Sequence, residues 1–433
     1  MTHITTKISW LGKAAREAGS TLRGCITVCL LLAILICDSL GAASDKLRLD
    51  RWTYVQVDDS RGKWGDLDPP DWLRYFGLSA FDVNGDGYLD IIAGRYFYRS
   101  PGGDMTGRWE RVEVGRNVDG ILFVDVDGDQ FADGIAQALP DVYWLEAEDK
   151  QGNSWKAVRI ATLPKSQHVN GQGFATAQII PGGRSEIVLS TGSGIYYLKI
   201  PADASAENWP ATLAAPEASE QGLAVGDIDG DGLIDIAAAH GHRVEPKSAA
   251  WWKNPGRQSG PWKRTEVGST ANYSADRVVV TDVNGDGRPE VLITEESWRT
   301  HDRVAQLLCF EQRGPREAPL WERRTILTAA SLNSLDVADL DRDGDVDIVT
   351  GEHKGKDKRV FVLENDGNGR FTEYVIDHGK ESHLGTRLFD QDGDGDLDIL
   401  SVGWDEYRFL HLWRNDAVKP SRPLIRKTPG KVK

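Results

Sequence analysis

The chain has 433 residues, a formal net charge of −15, 46 glycines and 15 tryptophans, and 40% of its residues are hydrophobic. A net negative charge of this size argues against nucleic acid and an anionic membrane surface as partners. The many glycine and aromatic residues are typical of an all-β protein rich in turns, and the length allows two ordinary domains or one large repeat architecture.

The first 43 residues have the pattern of a signal peptide. Basic residues at Lys7, Lys13, Arg16 and Arg23 precede a mostly apolar run at 25–37, and the small residues 41–43 follow it. A run of this length is too short to span a bilayer comfortably, so the pattern favours cleavage over anchoring. We therefore expect an exported protein that is periplasmic, cell-surface or secreted, with no transmembrane span after cleavage.

Cysteine usage predicts a mature chain without an internal disulfide. Three of the four cysteines lie in the signal segment, and the fourth, Cys309, lies in the apolar run 307–310. There it has the pattern of a small buried hydrophobic residue. An exported protein that has no disulfide is expected to use another kind of cross-link.

An acidic frame of nine residues recurs along the chain, with Asp, Asn or Glu at its first, third, fifth and ninth positions. These residues are Asp82, Asn84, Asp86 and Asp90; Asp125, Asp127, Asp129 and Asp133; Asp227, Asp229, Asp231 and Asp235; Asp282, Asn284, Asp286 and Glu290; Asp339, Asp341, Asp343 and Asp347; and Asp390, Asp392, Asp394 and Asp398. A seventh copy, residues 178–186, keeps the flanking apolar pattern without the metal carboxylates. We call the first six the acidic frames and the seventh the bare frame.

Short β-rich segments surround each frame. An apolar segment such as 223–225 precedes the frame, a second such as 90–93 follows it, and an aromatic segment such as 96–98 comes next. A fourth segment begins at an aromatic residue: Trp109, Trp155, Trp209, Trp262, Trp321 or Phe371. Four short strands in each of seven repeats predict an all-β fold, a seven-bladed β-propeller over residues 50–416.

The two ends of the repeat region predict how the ring closes. An additional aromatic-led segment, 52–57, precedes the first frame, whereas the last repeat ends near 415 without one. The N-terminal strand is therefore expected to complete the last blade, which removes the open edges of the ring. The basic tail, 417–433, is predicted to be disordered.

The frame and its setting between apolar strands resemble the FG-GAP/VCBS repeat family, which includes integrin α-subunit heads, propeller lectins and many exported bacterial proteins. The resemblance extends over about residues 50–416 and implies a β-propeller. A weaker resemblance links the segment 251–256 to aromatic-Asn-Pro segments of exported propellers similar to aldos-2-ulose dehydratase.

The acidic frames are predicted to bind up to six structural Ca²⁺ ions. Carboxylates at these positions of a tight loop can converge on one point, and calcium accepts six to eight oxygen ligands in flexible geometry. The frames contain no His or Cys, which argues against zinc. Loss of residues 1–43 removes four positive and two negative charges and changes the net charge from −15 to −17, so the frames carry most of the surplus acid. The bare frame is expected to hold no ion.

A ligand site is expected on the face opposite the frames. Each frame joins the first strand of a blade to the second, so the start of the first strand and the end of the second lie at the other end of the channel. This channel face collects the candidate catalytic residues His168, His240, His242, Glu295, His353, His383 and Arg387. Nearby aromatic residues, acids and arginines suit carbohydrate binding. The pair His240 and His242 is also a hypothetical ligand pair for a second, non-calcium metal, with His168 or His353.

Three functions remain open from the sequence. The first is a non-catalytic, calcium-dependent scaffold, expected to be monomeric, that binds a carbohydrate or a protein surface. The second is a sugar or polysaccharide lyase or dehydratase, in which histidines and acids abstract a proton α to a carbonyl. The third is adhesion, by analogy with integrin heads. The chain has neither a Gly-x-Ser-x-Gly nor a His-Glu-x-x-His motif, which leaves serine-hydrolase and zinc-protease functions without support.

Overall fold

The described part of the chain is made of strands joined by turns and loops. The computed structural model describes residues 46–63, 73–129, 133–240, 247–256, 262–270, 273–297, 304–383 and 386–418, and these contain no helix. The compact unit that contains the strands is Leu47–Lys433. The predicted signal peptide, 1–43, and residues 419–433 of the predicted tail lie outside the described residues.

Seven four-stranded antiparallel sheets form the blades. The first blade contains β2 (Ser79–Phe81), β3 (Asp90–Ala93), β4 (Tyr96–Arg99) and β5 (Glu110–Glu113); the second, β6 (Asp119–Val124), β7 (Asp133–Ala138), β8 (Asp141–Ala147) and β9 (Trp155–Thr162); the third, β10 (Phe174–Ala177), β11 (Glu186–Thr191), β12 (Gly194–Leu198) and β13 (Ala211–Pro216); the fourth, β14 (Leu223–Gly226), β15 (Asp235–His240), β16 (Ser248–Lys253) and β17 (Lys263–Ser269). The fifth contains β18 (Ser274–Thr281), β19 (Glu290–Glu296), β20 (Ala305–Arg313) and β21 (Leu320–Ala329); the sixth, β22 (Leu332–Ala338), β23 (Asp347–Glu352), β24 (Val360–Asn365) and β25 (Phe371–Asp377); the seventh, β26 (Arg387–Phe389), β27 (Asp398–Val402), β28 (Leu410–Asn415) and the N-terminal β1 (Trp52–Asp58).

The N-terminal strand closes the ring. β1 is the outer strand of the seventh blade and pairs antiparallel with β28, where Tyr54 lies opposite Trp413 and Val55 opposite Leu412. Pairing of the first strand with the last one removes the free edge that a linear row of blades would expose. The predicted seven-bladed propeller and its mode of closure are confirmed.

The first strand of each blade is the innermost. First strands contact the first strands of the next blade, as β6 does with β10, β14 with β18 and β18 with β22. Every frame joins a first strand to a second strand, so all seven frames share one face, here called the frame face.

The hydrophobic core lies between neighbouring blades. Ile135 of the second blade and Ile187 of the third belong to one buried cluster, and Val188 and Ile236 join the third blade to the fourth. The aromatic residue predicted to begin each outer strand is an anchor in this core: Trp155, for example, is buried and donates its indole N–H to the Gly152 carbonyl over 2.9 Å. Cys309 is buried and free, as expected.

Candidate functional site

The first residue of an acidic frame holds the loop closed. Asp82 accepts hydrogen bonds on Oδ1 from the backbone N–H of Gly85, at 2.8 Å, and on Oδ2 from that of Gly87, at 2.9 Å. Gly85 and Gly87 both have positive φ, of 74° and 93°, which L-residues with a side chain rarely adopt. The same bonds recur around Asp227. The repeated glycines therefore make the turn, and the turn directs its N–H groups at the first carboxylate.

In the last acidic frame, the third and fifth carboxylates use one oxygen each for the loop and leave the other without a hydrogen-bond partner. In the frame at 390–398, Asp392 Oδ1 accepts the N–H of Asp394 and Asp394 Oδ1 accepts that of Asp396, at 3.3 and 3.1 Å. The Oδ2 atoms of Asp392 and Asp394 are buried without a hydrogen-bond partner. Buried oxygens of this kind are unfavourable unless a cation or a proton reaches them.

The first, third and ninth carboxylates converge in three frames. One oxygen from each lies within 4.8 Å of the others in the sets Asp125, Asp127 and Asp133; Asp227, Asp229 and Asp235; and Asp339, Asp341 and Asp347. The loop geometry thus brings together residues that are two and six positions apart in sequence, as the frame pattern predicts.

The ninth acid has a second role that the sequence did not reveal. In every frame its carboxylate accepts the backbone N–H of the frame's second residue, at 2.8 to 3.2 Å. The bare frame is included, because Glu186 Oε2 accepts the N–H of Ile179 at 3.0 Å. In the acidic frame at 390–398, the other oxygen of Asp398 accepts the N–H of Asn415 at 2.7 Å. The ninth acid is therefore a structural clamp, whether or not the frame has its other acids.

Burial disfavours the charged form of several frame carboxyl groups and so raises their pKa. Burial, followed by the neighbouring frame acids, raises the pKa of Asp90, Asp235 and Asp347 to about 7. Burial and the adjacent Asp394 carboxylate likewise raise the pKa of Asp392. An electropositive partner in the loop would offset this cost.

Two further acids at the seventh position, Asp345 and Asp396, complete the last two acidic frames. Asp396 accepts the N–H of Val418 on Oδ2 at 2.7 Å, while its Oδ1 is buried without a partner. The sequence analysis missed both residues because it fixed the pattern on four positions. The signal was present as an unbroken alternation of aspartates in both frames.

Positive side chains of the protein itself contact two acidic frames, those on either side of the bare frame. Lys253, the last residue of β16, bonds Asp229 through its ammonium and lies 2.9 Å from Asp231 Oδ2. Hydrogen bonds to these two acids raise the pKa of Lys253. The bare frame supplies Arg184, whose guanidinium donates to the carbonyl of Val126 in the adjacent acidic frame. The frame at 227–235 therefore already has a cation at its third and fifth positions.

The channel face brings together a compact group of ionisable side chains. His353 follows β23, His383 precedes β26 and Glu296 ends β19, so each lies at the end of its strand opposite the frames. His353 Nδ1 lies 2.5 Å from Glu381 Oε1, and its Nε2 lies 4.0 Å from Glu296 Oε1. The rings of His353 and His383 have their centroids 3.9 Å apart. We call these four residues the His–Glu cluster.

The environment of the cluster fixes its protonation. Burial, and next the neighbouring His353, lowers the pKa of His383 well below its usual range, so this ring is neutral. Burial and the nearby Asp276 carboxylate raise the pKa of Glu296. The His353 pair holds the pKa of Glu381 below its usual value despite burial, assisted by backbone N–H groups of Trp404 and Glu406. The cluster therefore presents one neutral imidazole beside a fixed carboxylate–imidazole pair.

Trp404 connects the cluster to an aromatic and basic surface. Its ring stacks with Phe76 at 6.0 Å and 12°, and the Arg74 guanidinium lies 5.4 Å from its centroid. His168 and His383 lie 5.5 and 5.8 Å from the same ring. Trp404 is partly exposed, so it forms part of the surface of the channel mouth.

The structure groups some predicted candidates and separates others. His168, His353 and His383 all contact Trp404 or one another, and His168 Nδ1 pairs with Glu220 Oε1 at 2.8 Å. Glu295 lies elsewhere: its oxygens accept the N–H groups of Tyr273 and Gln306, at 3.5 and 3.1 Å. Because side chains alternate along a strand, its neighbour Glu296 is the acid that faces the histidines. The sequence analysis selected the adjacent residue.

The remaining candidates lie deeper in the channel or outside the described side chains. Arg387 lies over the ring of Phe174 at 5.2 Å and lines a small channel cavity with Arg277 and Thr386. His242 is outside the described residues, as is the side chain of His240. The hypothetical His240–His242 metal pair thus stays a prediction.

Two stretches of the repeat region match a known repeat family. Residues 227–293 and 339–401 match the family model described as FG-GAP-like repeat. No curated protein matches the chain in sequence. A solved Agrocybe aegerita lectin structure, described as recognising non-reducing terminal N-acetylglucosamine, is similar over 69% of this chain and 79% of its own, with 17% identity and a TM-score of 0.44. BBS1N in complex with ARL6DN is similar over 84% of this chain and 96% of its own, with 10% identity and a TM-score of 0.49.

Proposed function

The chain is a seven-bladed β-propeller that carries FG-GAP-like repeats, and on this premise we propose that it is an exported, calcium-stabilised propeller that binds carbohydrate on its channel face. Export is supported by the pattern of residues 1–43. Within the described residues no helix is long and apolar enough to cross a membrane. N-terminal sequencing of the protein recovered from outside the cytoplasm tests the export step, with a start near residue 44 as the expected result.

Calcium is supported by the chemistry of the frames. Their donor atoms are mostly carboxylate oxygens. In the frame at 390–398, the Oδ2 atoms of Asp392 and Asp394 are buried without a partner, while the Oδ1 atoms of the same residues accept N–H groups of the loop. Hard oxygen donors in a flexible loop suit calcium. Each bound ion would hold the connection between the two inner strands of a blade, in a protein whose one mature cysteine, Cys309, is free.

The single observation that carries carbohydrate binding is the partly exposed Trp404 among charged groups at the channel mouth. Beside it, Lys354 Nζ lies 3.0 Å from Asp405 Oδ2, and their side chains are 23% and 57% exposed. Sugars present apolar faces and hydroxyl edges, and a pocket for them combines an aromatic surface with a few polar groups that fix orientation. The channel mouth offers both.

Calorimetric titration with a panel of mono- and oligosaccharides tests this assignment. Trp404→Ala is expected to weaken binding at least about tenfold, because it removes the aromatic surface. Phe81→Ala is the matched control, since Phe81 is an exposed aromatic residue beside the frame at 82–90, on the other face. Equal affinity in wild type and Trp404→Ala, or no binding of any sugar at millimolar concentration, would exclude the proposal.

A sugar lyase or dehydratase is the second candidate, favoured by the carboxylate–imidazole pair of Glu381 and His353. A histidine held by a buried carboxylate is the usual arrangement of a general base. Incubation with acidic polysaccharides and keto-sugars, followed by ultraviolet absorbance of an unsaturated product, tests it. A His353→Ala variant that retains such activity would place the chemistry elsewhere.

A further inference from the structure

We propose that the His–Glu cluster is a binding site for a divalent transition metal of the zinc class, with His353, His383 and Glu296 as its protein ligands. The site lies on the channel face, contributed by the ends of three successive blades, and is separate from the calcium frames. Its three ligands are not the groups that form the proposed sugar surface, so metal binding and carbohydrate binding are tested by different variants.

The three ligand atoms already converge. One nitrogen of each histidine and one oxygen of Glu296 lie within 4.8 Å of one another, and His353 Nε2 is 4.0 Å from Glu296 Oε1. Zinc bonds nitrogen and oxygen at about 2.0–2.2 Å, so two of its ligands in a tetrahedral shell lie a little over 3 Å apart. Small side-chain rotations would close the observed distances onto one ion.

A carboxylate orients the ring of His353, as is usual for histidines that bind a metal. Its Nδ1 is bonded to Glu381 at 2.5 Å, which leaves Nε2 directed at the cluster. Glu381 is itself fixed, because it accepts the backbone N–H groups of Trp404, Asp405 and Glu406 at 2.8 to 3.2 Å. A carboxylate that holds the distal nitrogen of a ligand histidine fixes its tautomer and raises its basicity.

A second observation that points to a bound cation comes from the ring of His383. Its side chain is 4% exposed, and its Nδ1 is buried without a hydrogen-bond partner. Two packed histidines without a metal are the simpler explanation, but buried ring nitrogens of that kind normally find a donor or acceptor. A cation shared with the second imidazole and the carboxylate would give this histidine the partner that it lacks.

The donor set selects the class of metal. Two imidazoles and one carboxylate suit zinc and its first-row neighbours, whereas calcium takes oxygen ligands alone. Asn333 hydrogen-bonds Glu296 and also donates to Asp276, so the metal-facing carboxylate has a second support. The side chain of Glu296 is 16% exposed while that of His353 is 2% exposed, so the site is open to solvent on the side of Glu296. Three protein ligands with one open side are the arrangement in which a fourth position takes water or a ligand.

Cobalt titration of the full chain tests the proposal. The protein is stripped with chelator, returned to excess Ca²⁺ to fill the frames, and titrated with Co²⁺ while visible absorption is followed. Wild type is expected to give one equivalent with the intense absorption of a tetrahedral site, displaced by one equivalent of Zn²⁺. His383→Ala and the near-isosteric Glu296→Gln are expected to weaken Co²⁺ binding at least about tenfold.

His378→Ala is the matched control, since His378 is an exposed histidine that is not one of the proposed ligands. It is expected to bind Co²⁺ as wild type does. Thermal melting in Ca²⁺ verifies that each variant is folded. If His383→Ala does not fold, the Co²⁺ affinity of Glu296→Gln decides the test. The absence of a Co²⁺ band in wild type, or a band of unchanged affinity in folded Glu296→Gln, would overturn the proposal.

Discussion

The bare frame at 178–186 and the acidic frame at 390–398 have the same place in their blades but different chemistry. Both clamp the frame's second N–H with the ninth acid, over 3.0 Å to Glu186 and 2.9 Å to Asp398. Only the acidic frame has carboxylates at the first, third and fifth positions, and two of these leave buried oxygens without partners.

This difference separates folding from ion binding. A blade forms in the third repeat without the inner carboxylates, so the fold of a blade does not require them, whereas the clamp by the ninth acid is kept. The other acids raise one another's pKa and add repulsion that the bare frame does not have. The proposed calcium ions would account for the repetition of these acids in six frames.

Removal of calcium is expected to have the largest effect on stability. An ion at a hundred times its dissociation constant adds about 2.7 kcal/mol for each site, so loss of several sites lowers the melting temperature by roughly 10 °C or more. Differential scanning calorimetry with and without chelator measures the change. Restoration by Ca²⁺ but not by an equal concentration of Na⁺ is the control, and an unchanged melting temperature would remove the basis for calcium.

The metal-stripped protein is expected to lose stability as pH rises. In that state the pKa of Asp90, Asp235 and Asp347 is about 7, above the value near 4 of an unfolded carboxyl group. The folded state therefore binds more protons between about pH 4 and pH 7, and its stability falls across that window. A melting temperature roughly 5 °C lower at pH 8 than at pH 5.5 is the predicted result.

With Ca²⁺ present the order should reverse, because protons compete with the ion for the same carboxylates. The calcium-dependent gain in melting temperature is then largest above pH 7. Melting temperatures at pH 5.5 and pH 8, each measured with Ca²⁺ and with chelator, test this prediction. A metal-stripped protein that is more stable at pH 8 would contradict the burial of these groups.

Substitution of the ninth acid separates the two roles within one residue. Asp398→Asn and Glu186→Gln each replace an acceptor oxygen of the clamp, and each is expected to cost about 1–3 kcal/mol in chelator. Only Asp398→Asn should also lower the number of bound calcium ions. Glu207→Gln, at an exposed loop residue, is the charge-matched control. Loss of an ion from the Glu186→Gln variant would show that the bare frame is not bare.

The smallest expected effect concerns one calcium site, the frame that Lys253 contacts. Its ammonium contacts Asp229 and Asp231, where an ion in the frame at 227–235 would bind. Lys253→Met keeps the unbranched apolar part of the side chain and removes the charged end, so it is expected to tighten one calcium site several-fold and to lower the stability of the protein in chelator. Calcium titration by calorimetry measures both. An unchanged calcium profile would mean that the lysine does not compete.

Repetition determined how much the sequence could predict. Seven copies of one pattern identify the blade, its four strands and the face that carries the frames, because each copy repeats the same local physics. The closing strand β1 was predictable for the same reason, since it supplies the aromatic-led strand that the last repeat lacks.

The channel face occurs once, so no internal comparison guided its prediction. Topology put His353 and His383 on one face, where their ring centroids are 3.9 Å apart. It did not distinguish Glu296 from Glu295, because that choice depends on the side of β19 to which each side chain points. Glu381 was missed altogether: it lies in a loop, and its importance appears only through its bonds to His353 and to the N–H groups after β27.

The central claim, that the acidic frames bind calcium, is tested most directly by counting ions. Native mass spectrometry of the calcium-saturated chain should show up to six bound Ca²⁺, and one fewer for Asp392→Asn, whose unpartnered Oδ2 lies in the frame at 390–398. A chain that carries no Ca²⁺ under these conditions, or an Asp392→Asn variant with an unchanged count, would contradict the account.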